Sequence, residues 1–250
     1  MEFIILGCGS SMGVPRPDGF FGNCDPKIKR NYRTRCSALF KTSNQNILID
    51  TSPDLRQQLL RHKIKKINKV LYSHMHGDQT HGINDLRSFY INSKTQINVY
   101  ADRPTSKYLK NSFSYIFKSY SKEYPATLKL NNLPKNIFAT NKNKKIKIKS
   151  LQVEHGNVKS NCFIIDQKLA YISDVSKILD KDYKLLEHKQ CDKIISNKNI
   201  KHRRDNKRRE NVNKNIKKAS IYFNSICSYI FFTCFTTKSI WCGNPILSSS

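Results

Sequence analysis

Acidic residues are scarce: 18 Asp and Glu stand against 45 Lys and Arg, a formal net charge of +27 over 250 residues. A chain this basic attracts polyanions, RNA above all, through phosphate contacts. The plainer alternative is a lysine- and asparagine-rich composition spread over solvated faces. Cys-x-x-Cys is absent: the eight cysteines (8, 24, 36, 162, 191, 227, 234, 242) form no such pair, which excludes a zinc knuckle and a redox motif. The first residues, MEFIILGCGSSMG, lack the basic segment and long apolar stretch of a secretory signal. A cytoplasmic chain with reduced thiols is therefore expected. No apolar run reaches the length of a membrane span, because IYFNSICSYIFFTCF is short and broken by Asn224, Ser225 and Ser228. No internal repeat is visible.

What the chain does contain is a succession of short apolar runs that stop at polar or glycine positions. FIIL (3–6) reads as a strand that turns into a loop marked by Gly7, Gly9 and Gly13. Residues 14–36 hold three prolines and many basic side chains and read as a long surface loop. ILID (47–50) is a second strand, ending in Asp50. Ser52 and Pro53 then start a helix, as cap and first helical position, with Leu55, Leu59 and Leu60 as its inward stripe. KVLYS (69–73) and INVYA (97–101) are further strands. Leu109, Phe113, Ile116, Phe117 and Tyr120 fall at helical spacing from about Thr105 to Tyr120. KIKIKSLQVEHG alternates and carries His155 at its end, and NCFIID and LAYISD complete the set, the last closing on Asp174. Strands and helices interleave, with polar residues where strands end, which is where α/β architectures place their sites.

The stretch SHMHGDQTHG (73–82) follows one of these strands. Alternate residues of an extended segment point the same way, so His74, His76 and Asp78 can converge on one point. Imidazole nitrogen and carboxylate oxygen suit zinc, manganese or iron; a surface loop with incidental histidines is the alternative. His155 ends a strand before Gly156, which lets backbone approach closely, and Asp174 ends another. Either alone reads more readily as a turn residue. Together with the first cluster they supply three histidines and two carboxylates, enough for one metal and part of a second.

In this order of elements the chain resembles the metallo-β-lactamase fold. SHMHGDQTHG is similar to that fold's H-x-H-x-D-H signature, and GCGSSMGVP, ILID, VEHG and YISDVS match its other landmarks over about residues 2–190. Among its branches the closest resemblance is to the cyclic-phosphate phosphodiesterases of phosphonate breakdown. The resemblance implies an αβ/βα four-layer sandwich. It implies a first metal held by His74, His76 and His155, a second served by Asp78, and Asp174 as the bridge between them. Asp50 would support the ligand loop from beneath. The cofactor would be one or two zinc ions, or manganese or iron. The activity would be hydrolysis of a small phosphodiester, cyclic phosphate or nucleotide-like ester by metal-activated water, with Asp78 as the catalytic carboxylate. An RNA-processing nuclease of the same fold and an impaired relative are the competing classes.

Two departures stand out. Gln79 occupies the place where the family has a histidine for the second metal, and an amide oxygen is a weaker, neutral ligand. The family's last histidine has no convincing counterpart, since His202 lies in KNIKHRRDNKRR with no strand before it. Gln79 and His81 are the candidate substitute ligands, His81 more readily as a hydrogen-bonding loop residue. Cys24 and Cys36 fall where some relatives hold a structural zinc, and are expected to be unliganded. Asp85 and Arg87 begin a helix beside the site; Arg87 is the candidate for touching a substrate phosphate, or else pairs structurally. Beyond the domain of residues 1–191 the character changes. Residues 192–250 are first Lys-, Arg- and Asn-rich and then apolar, without period 2 or 3.6. An out-of-frame reading of an AT-rich gene would give this composition, and the tail is expected to pack poorly on the body.

Overall fold

The computed structural model describes residues 1–178 and the strand 193–196. Two sheets face each other. The first has six strands in chain order: β1 (Glu2–Gly7), β2 (Ser37–Lys41), β3 (Asn46–Ile49), β4 (Lys69–Leu71), β5 (Ile97–Ala101) and β6 (Leu128–Asn132). β1, β2 and β3 pair antiparallel, and β3 to β6 run parallel. Parallel neighbours need crossovers. These are supplied by α1 (Leu55–Arg61), then α2 (Gly77–Thr80) and α3 (Arg87–Ser93), then α4 (Arg103–Ser112) and α5 (Ser114–Phe117). The second sheet is an antiparallel meander of β7 (Asn136–Asn141), β8 (Lys144–His155), β9 (Val158–Ile165) and β10 (Leu169–Ile172), with β11 (Lys193–Ser196) added parallel to β10.

Alternation in the sequence decides which layer each side chain enters. In ILI of β3, Ile47 and Ile49 pack between the sheets with Ala38, Phe40, Ile146, Ile148 and Phe163, while Leu48 faces the helices with Val70, Val99 and Leu109. Strands covered on both faces read as continuous apolar runs, and each such fully buried Leu or Ile contributes about 1.5–3 kcal/mol. On the outer face of the second sheet lies a third cluster, Leu151, Val153, Cys162, Ile164, Ala170 and Ile172. The expected αβ/βα sandwich is the fold observed. Among the described residues no helix is long and apolar enough to cross a membrane.

Several local expectations are corrected. Leu60 is 63% exposed, whereas Leu55 and Leu59 are buried. The third inward position of α1 is instead Gln58, whose amide reaches the Arg35 carbonyl at 2.8 Å and the Thr34 hydroxyl at 3.0 Å. The helix begins after Asp54, and the Ser52 hydroxyl accepts from the Asp54 N–H at 3.1 Å. The long helix over 105–120 is two pieces, broken at Phe113 with φ −134° and ψ 39°. Cys24, expected to be reduced, is disulfide-bonded. The body was expected to stop at 191, yet β11 at 193–196 forms the edge of the second sheet. The rest of the tail, His202 included, lies outside the described residues.

Candidate metal centre

The parallel strands deliver their C-terminal ends to one rim. β3 ends at Asp50, a non-glycine residue with φ +61° that is fully buried. Its carboxylate accepts the Ser73 N–H at 2.7 Å and the Ser73 hydroxyl at 2.8 Å. Burial pushes the Asp50 carboxyl well above its usual range, the Ser73 donors working against it. Because the Ser73 hydroxyl spends its one hydrogen on Asp50, at His74 Nδ1, 3.0 Å away, it acts as acceptor. His74 therefore carries its proton on Nδ1 and turns the Nε2 lone pair toward the cluster.

That lone pair has company. His74 Nε2 lies 3.0 Å from His76 Nδ1, which lies 3.3 Å from His155 Nε2. Asp174 Oδ2 is 3.6 Å from His74 Nε2 and 3.5 Å from His155 Nε2. All four ligand atoms fall within 4.8 Å of one another. A tetrahedral zinc with bonds of about 2.0–2.1 Å has its ligands about 3.3 Å apart, so the donor set and spacing fit a single cation. The ring centroids of His74 and His155, far apart in the chain, are 5.0 Å apart. His74 and Asp174 are buried, His155 and His76 partly exposed, so the cluster has a closed floor and an open mouth.

The remaining candidates fall into two groups. Asp78 stands next to the cluster but outside the four. Its carboxyl is raised by burial and then by the Asp174 charge, and its Oδ2 accepts from Gln79 Nε2 at 3.1 Å. Gln79 is fully buried; Nε2 also reaches the Ser173 hydroxyl at 3.5 Å, and Oε1 has no hydrogen-bond partner among the described residues. His81 turns outward: its Nε2 is 2.9 Å from the Tyr108 hydroxyl, and its ring meets Phe113 edge-on. It is not among the four atoms that converge. The same ring would lie 3.1–3.4 Å from a Cβ at Gly77, so the glycine between His76 and Asp78 gives it room. Arg87 opens α3 with an exposed side chain, and Asp85 accepts from the Arg56 N–H at 3.0 Å.

Sequence reasoning missed two residues that hold the cluster. Ser73 is the relay between Asp50 and His74. Asn161 grips the Ser73 carbonyl with both its backbone N–H and its Nδ2, each at 2.8 Å, and gives the other Nδ2 hydrogen to Asp102 at 3.2 Å. The available signal was polarity: Asn161 and Ser160 are buried polar residues inside a strand whose other buried side chains are apolar.

A two-sheet sandwich with a histidine–aspartate cluster on its rim defines the class of metallo-hydrolases. A family model described as the beta-lactamase superfamily domain matches residues 45–213. The chain belongs to that family, whose fold is the metallo-β-lactamase fold, and it resembles the PhnP branch. A diphosphatase of the PhnP family is similar at 28% identity with a TM-score of 0.64, over 77% of this chain and 72% of that one. Zinc-bound PqqB from Methylobacterium extorquens shares the fold at 17% identity and a TM-score of 0.59, over 79% of this chain and 73% of that one. An octanoyltransferase of Porphyromonas gingivalis is 31% identical over 201 residues, 79% of this chain. The chain spans only 39% of that relative's length, so the name describes a much longer protein.

Proposed function

We propose that the chain is a metal-dependent phosphodiesterase acting on a small cyclic phosphate or nucleotide-like ester, with one ion held by His74, His76, His155 and Asp174. The observation that carries this reading is the spacing of those four ligand atoms, 3.0–3.6 Å between the neighbours named above, close enough for all four to reach one ion. Zinc is the favoured ion for three imidazoles and a carboxylate, with manganese or iron as substitutes. Held by these residues with a position left for water, such an ion would supply a Lewis acid and would lower the pKa of that water from about 15.7 to about 7. The chain's own residues do the rest. Asp50, through Ser73, fixes the His74 tautomer. Asp78, held by Gln79 at the mouth of the cluster, takes the proton from the attacking water and returns it to the leaving oxygen. Similarity to a PhnP-family diphosphatase supports phosphorus as the electrophile. Arg87 is offered as a contact for the substrate phosphate.

Gln79 limits the site. Its amide donates to the carboxylate that a second ion would need, and its own Oε1 is a neutral, weaker ligand. One ion is held tightly and a second weakly. The test is hydrolysis of bis(p-nitrophenyl) phosphate and of 2′,3′-cyclic nucleotides by the zinc-loaded protein. Turnover abolished by His155→Ala supports the reading; turnover of neither substrate, or turnover indifferent to His155→Ala, removes it.

A nuclease reading has its own observation. Lys145, Lys147 and Lys149 share one side of β8, and the Lys145 ammonium sits 4.1 Å over the ring of Phe138, itself 41% exposed. Salt-dependent retention of RNA, reduced by replacing these lysines, would favour it.

A further inference from the structure

The histidine cluster straddles the seam between the two sheets. His74 and His76 follow β4 of the first sheet, whereas His155 ends β8 and Asp174 follows β10 of the second. The spacing of the cluster therefore depends on how the sheets meet at this rim. Between them lies an apolar core that includes Ile49, Ile148 and Phe163. Apolar burial is non-directional: it brings the sheets together but sets no fixed offset between them. Hydrogen bonds weaken steeply as their angle departs from linear, so they can set it. At the end far from the cluster, the Thr42 hydroxyl donates to the Thr140 carbonyl at 2.7 Å and the Ser43 N–H to Asn141 Oδ1 at 3.0 Å.

At the cluster end the corresponding tie is Asn161, a buried residue of β9. β10 pairs with β9 only as far as Phe163, so Asn161 lies beyond that ladder, and its N–H crosses the seam to the Ser73 carbonyl at 2.8 Å. Its Nδ2 donates to the same carbonyl at 2.8 Å and to Asp102 Oδ2 at 3.2 Å. Reversing the amide would set its oxygen against two acceptors, so its orientation is determined. Asp102 is itself fixed, because its other oxygen caps α4 through the Thr105 N–H at 3.0 Å. Ser73 is thereby held from both sheets: Asp50 accepts its N–H and hydroxyl, Asn161 donates to its carbonyl, and the next residue is His74. On its own sheet Asn161 is registered against Gln152 of β8, the strand that ends in His155. Gln79 Nε2 also crosses the seam, to the Ser173 hydroxyl, but at 3.5 Å.

We propose that Asn161 is a positioning residue of the metal centre: it fixes the offset of the second sheet against the first at the rim, and so sets His155 and Asp174 at their distances from His74 and His76. The inference rests on the metal site of the function proposed above and not on its substrate or reaction. A residue that served stability alone would make the chain easier to unfold when replaced, and would leave the affinity and ligand geometry of the folded site unchanged.

The test is titration of the metal-free chain with zinc, together with urea denaturation and the visible absorption of the cobalt(II)-loaded chain as a reading of ligand geometry. Asn161→Leu removes the amide at similar size, and Thr42→Val removes the hydroxyl tie at the other end of the seam. Both leave every metal ligand in place, and both are expected to lower the urea midpoint. Only Asn161→Leu is expected to alter the cobalt spectrum and to weaken zinc binding, by about tenfold or more, the scale on which groups that orient metal ligands act. Thr42→Val should stay within about twofold of the wild type, as expected of a group remote from the ligands. Asn161→Ser keeps the backbone N–H bond and decides the matter if Asn161→Leu does not fold; it should weaken zinc binding by about threefold or more. A smaller loss in the folded Asn161 variant, an equal loss in Thr42→Val, or an unchanged cobalt spectrum would overturn the proposal. A wild-type chain with no tight zinc would remove the proposed function and this inference together, whereas failure of phosphodiester hydrolysis alone would remove only the former.

Discussion

The Asp50 carboxylate receives both the N–H and the hydroxyl of Ser73, at 2.7 and 2.8 Å, across 23 residues of chain. This pair ties the end of one parallel strand to the end of the next and sets the proton of His74 on Nδ1. Asp50→Ala leaves two buried donors without a partner, each worth about 1–3 kcal/mol. We expect a loss of about 2–4 kcal/mol in urea denaturation of the metal-free protein and a 10–100-fold weaker zinc affinity. Unchanged zinc affinity would show that the relay does not orient His74.

Gly82 follows the histidine stretch and donates its N–H to the Thr51 carbonyl at 2.9 Å. A Cβ there would meet the Ser52 carbonyl oxygen at 1.9 Å, and that atom is backbone. Gly82→Ala should therefore cost at least about 2 kcal/mol, the scale of overpacking a tight site, and should lower thermal stability without removing a metal ligand. A neutral effect would mean that the α2 loop is looser than its contacts suggest.

Arg35 and Asp54 form a partly buried pair, with guanidinium nitrogens 2.9 and 2.7 Å from the two carboxylate oxygens and the Arg35 N–H at 2.8 Å. The Arg35 guanidinium holds the Asp54 carboxyl below the usual carboxylate range. A group whose pKa is lowered by folding contributes stability above its unfolded value, near 3.8, and loses it as pH falls through the lower folded value. Asp54→Asn should cost about 1 kcal/mol at pH 7, discounted for solvent screening. It should also flatten the loss of stability below pH 4. An unaltered acid limb in chemical denaturation at pH 2–5 would contradict the assignment.

Much of this fold was legible because apolar runs and their polar ends mark strands. ILID, KVLYS, INVYA and the alternating KIKIKSLQVEHG all became strands. SALFK, β6 and β7 were passed over. β6 reads LKLNN, in which only Leu128 is fully buried, so its pattern is too weak to separate from a loop. Leu60 failed because at helical spacing it falls about 140° round from Leu55, outside the inward stripe, whereas Gln58 lies within it beside Leu59 and had hydrogen-bond partners waiting. At the cluster, His74, His76, His155 and Asp174 were marked by residue type at strand ends. Asn161 and Ser73 were not, because their role lies in what they hold and not in any chemistry of their own.

Gln79 and His81 can be separated by substitution. Gln79→His removes the amide that donates to Asp78 and supplies an imidazole, so the affinity for a second zinc should rise at least tenfold. His81→Ala should leave the first zinc affinity within about twofold, since the ring hydrogen-bonds Tyr108 outside the cluster. Loss of the first ion in His81→Ala would show that the side chain turns inward in solution.

The central claim is that four residues from three strand ends make one strong cation site. It is tested most directly by calorimetric titration of the metal-free chain with zinc, run beside His155→Ala. The expected result is one tight ion per chain, a second bound at least a hundredfold more weakly, and no tight site in the variant. Two equally tight ions in the unmodified chain, or a tight ion that survives His155→Ala, would contradict it.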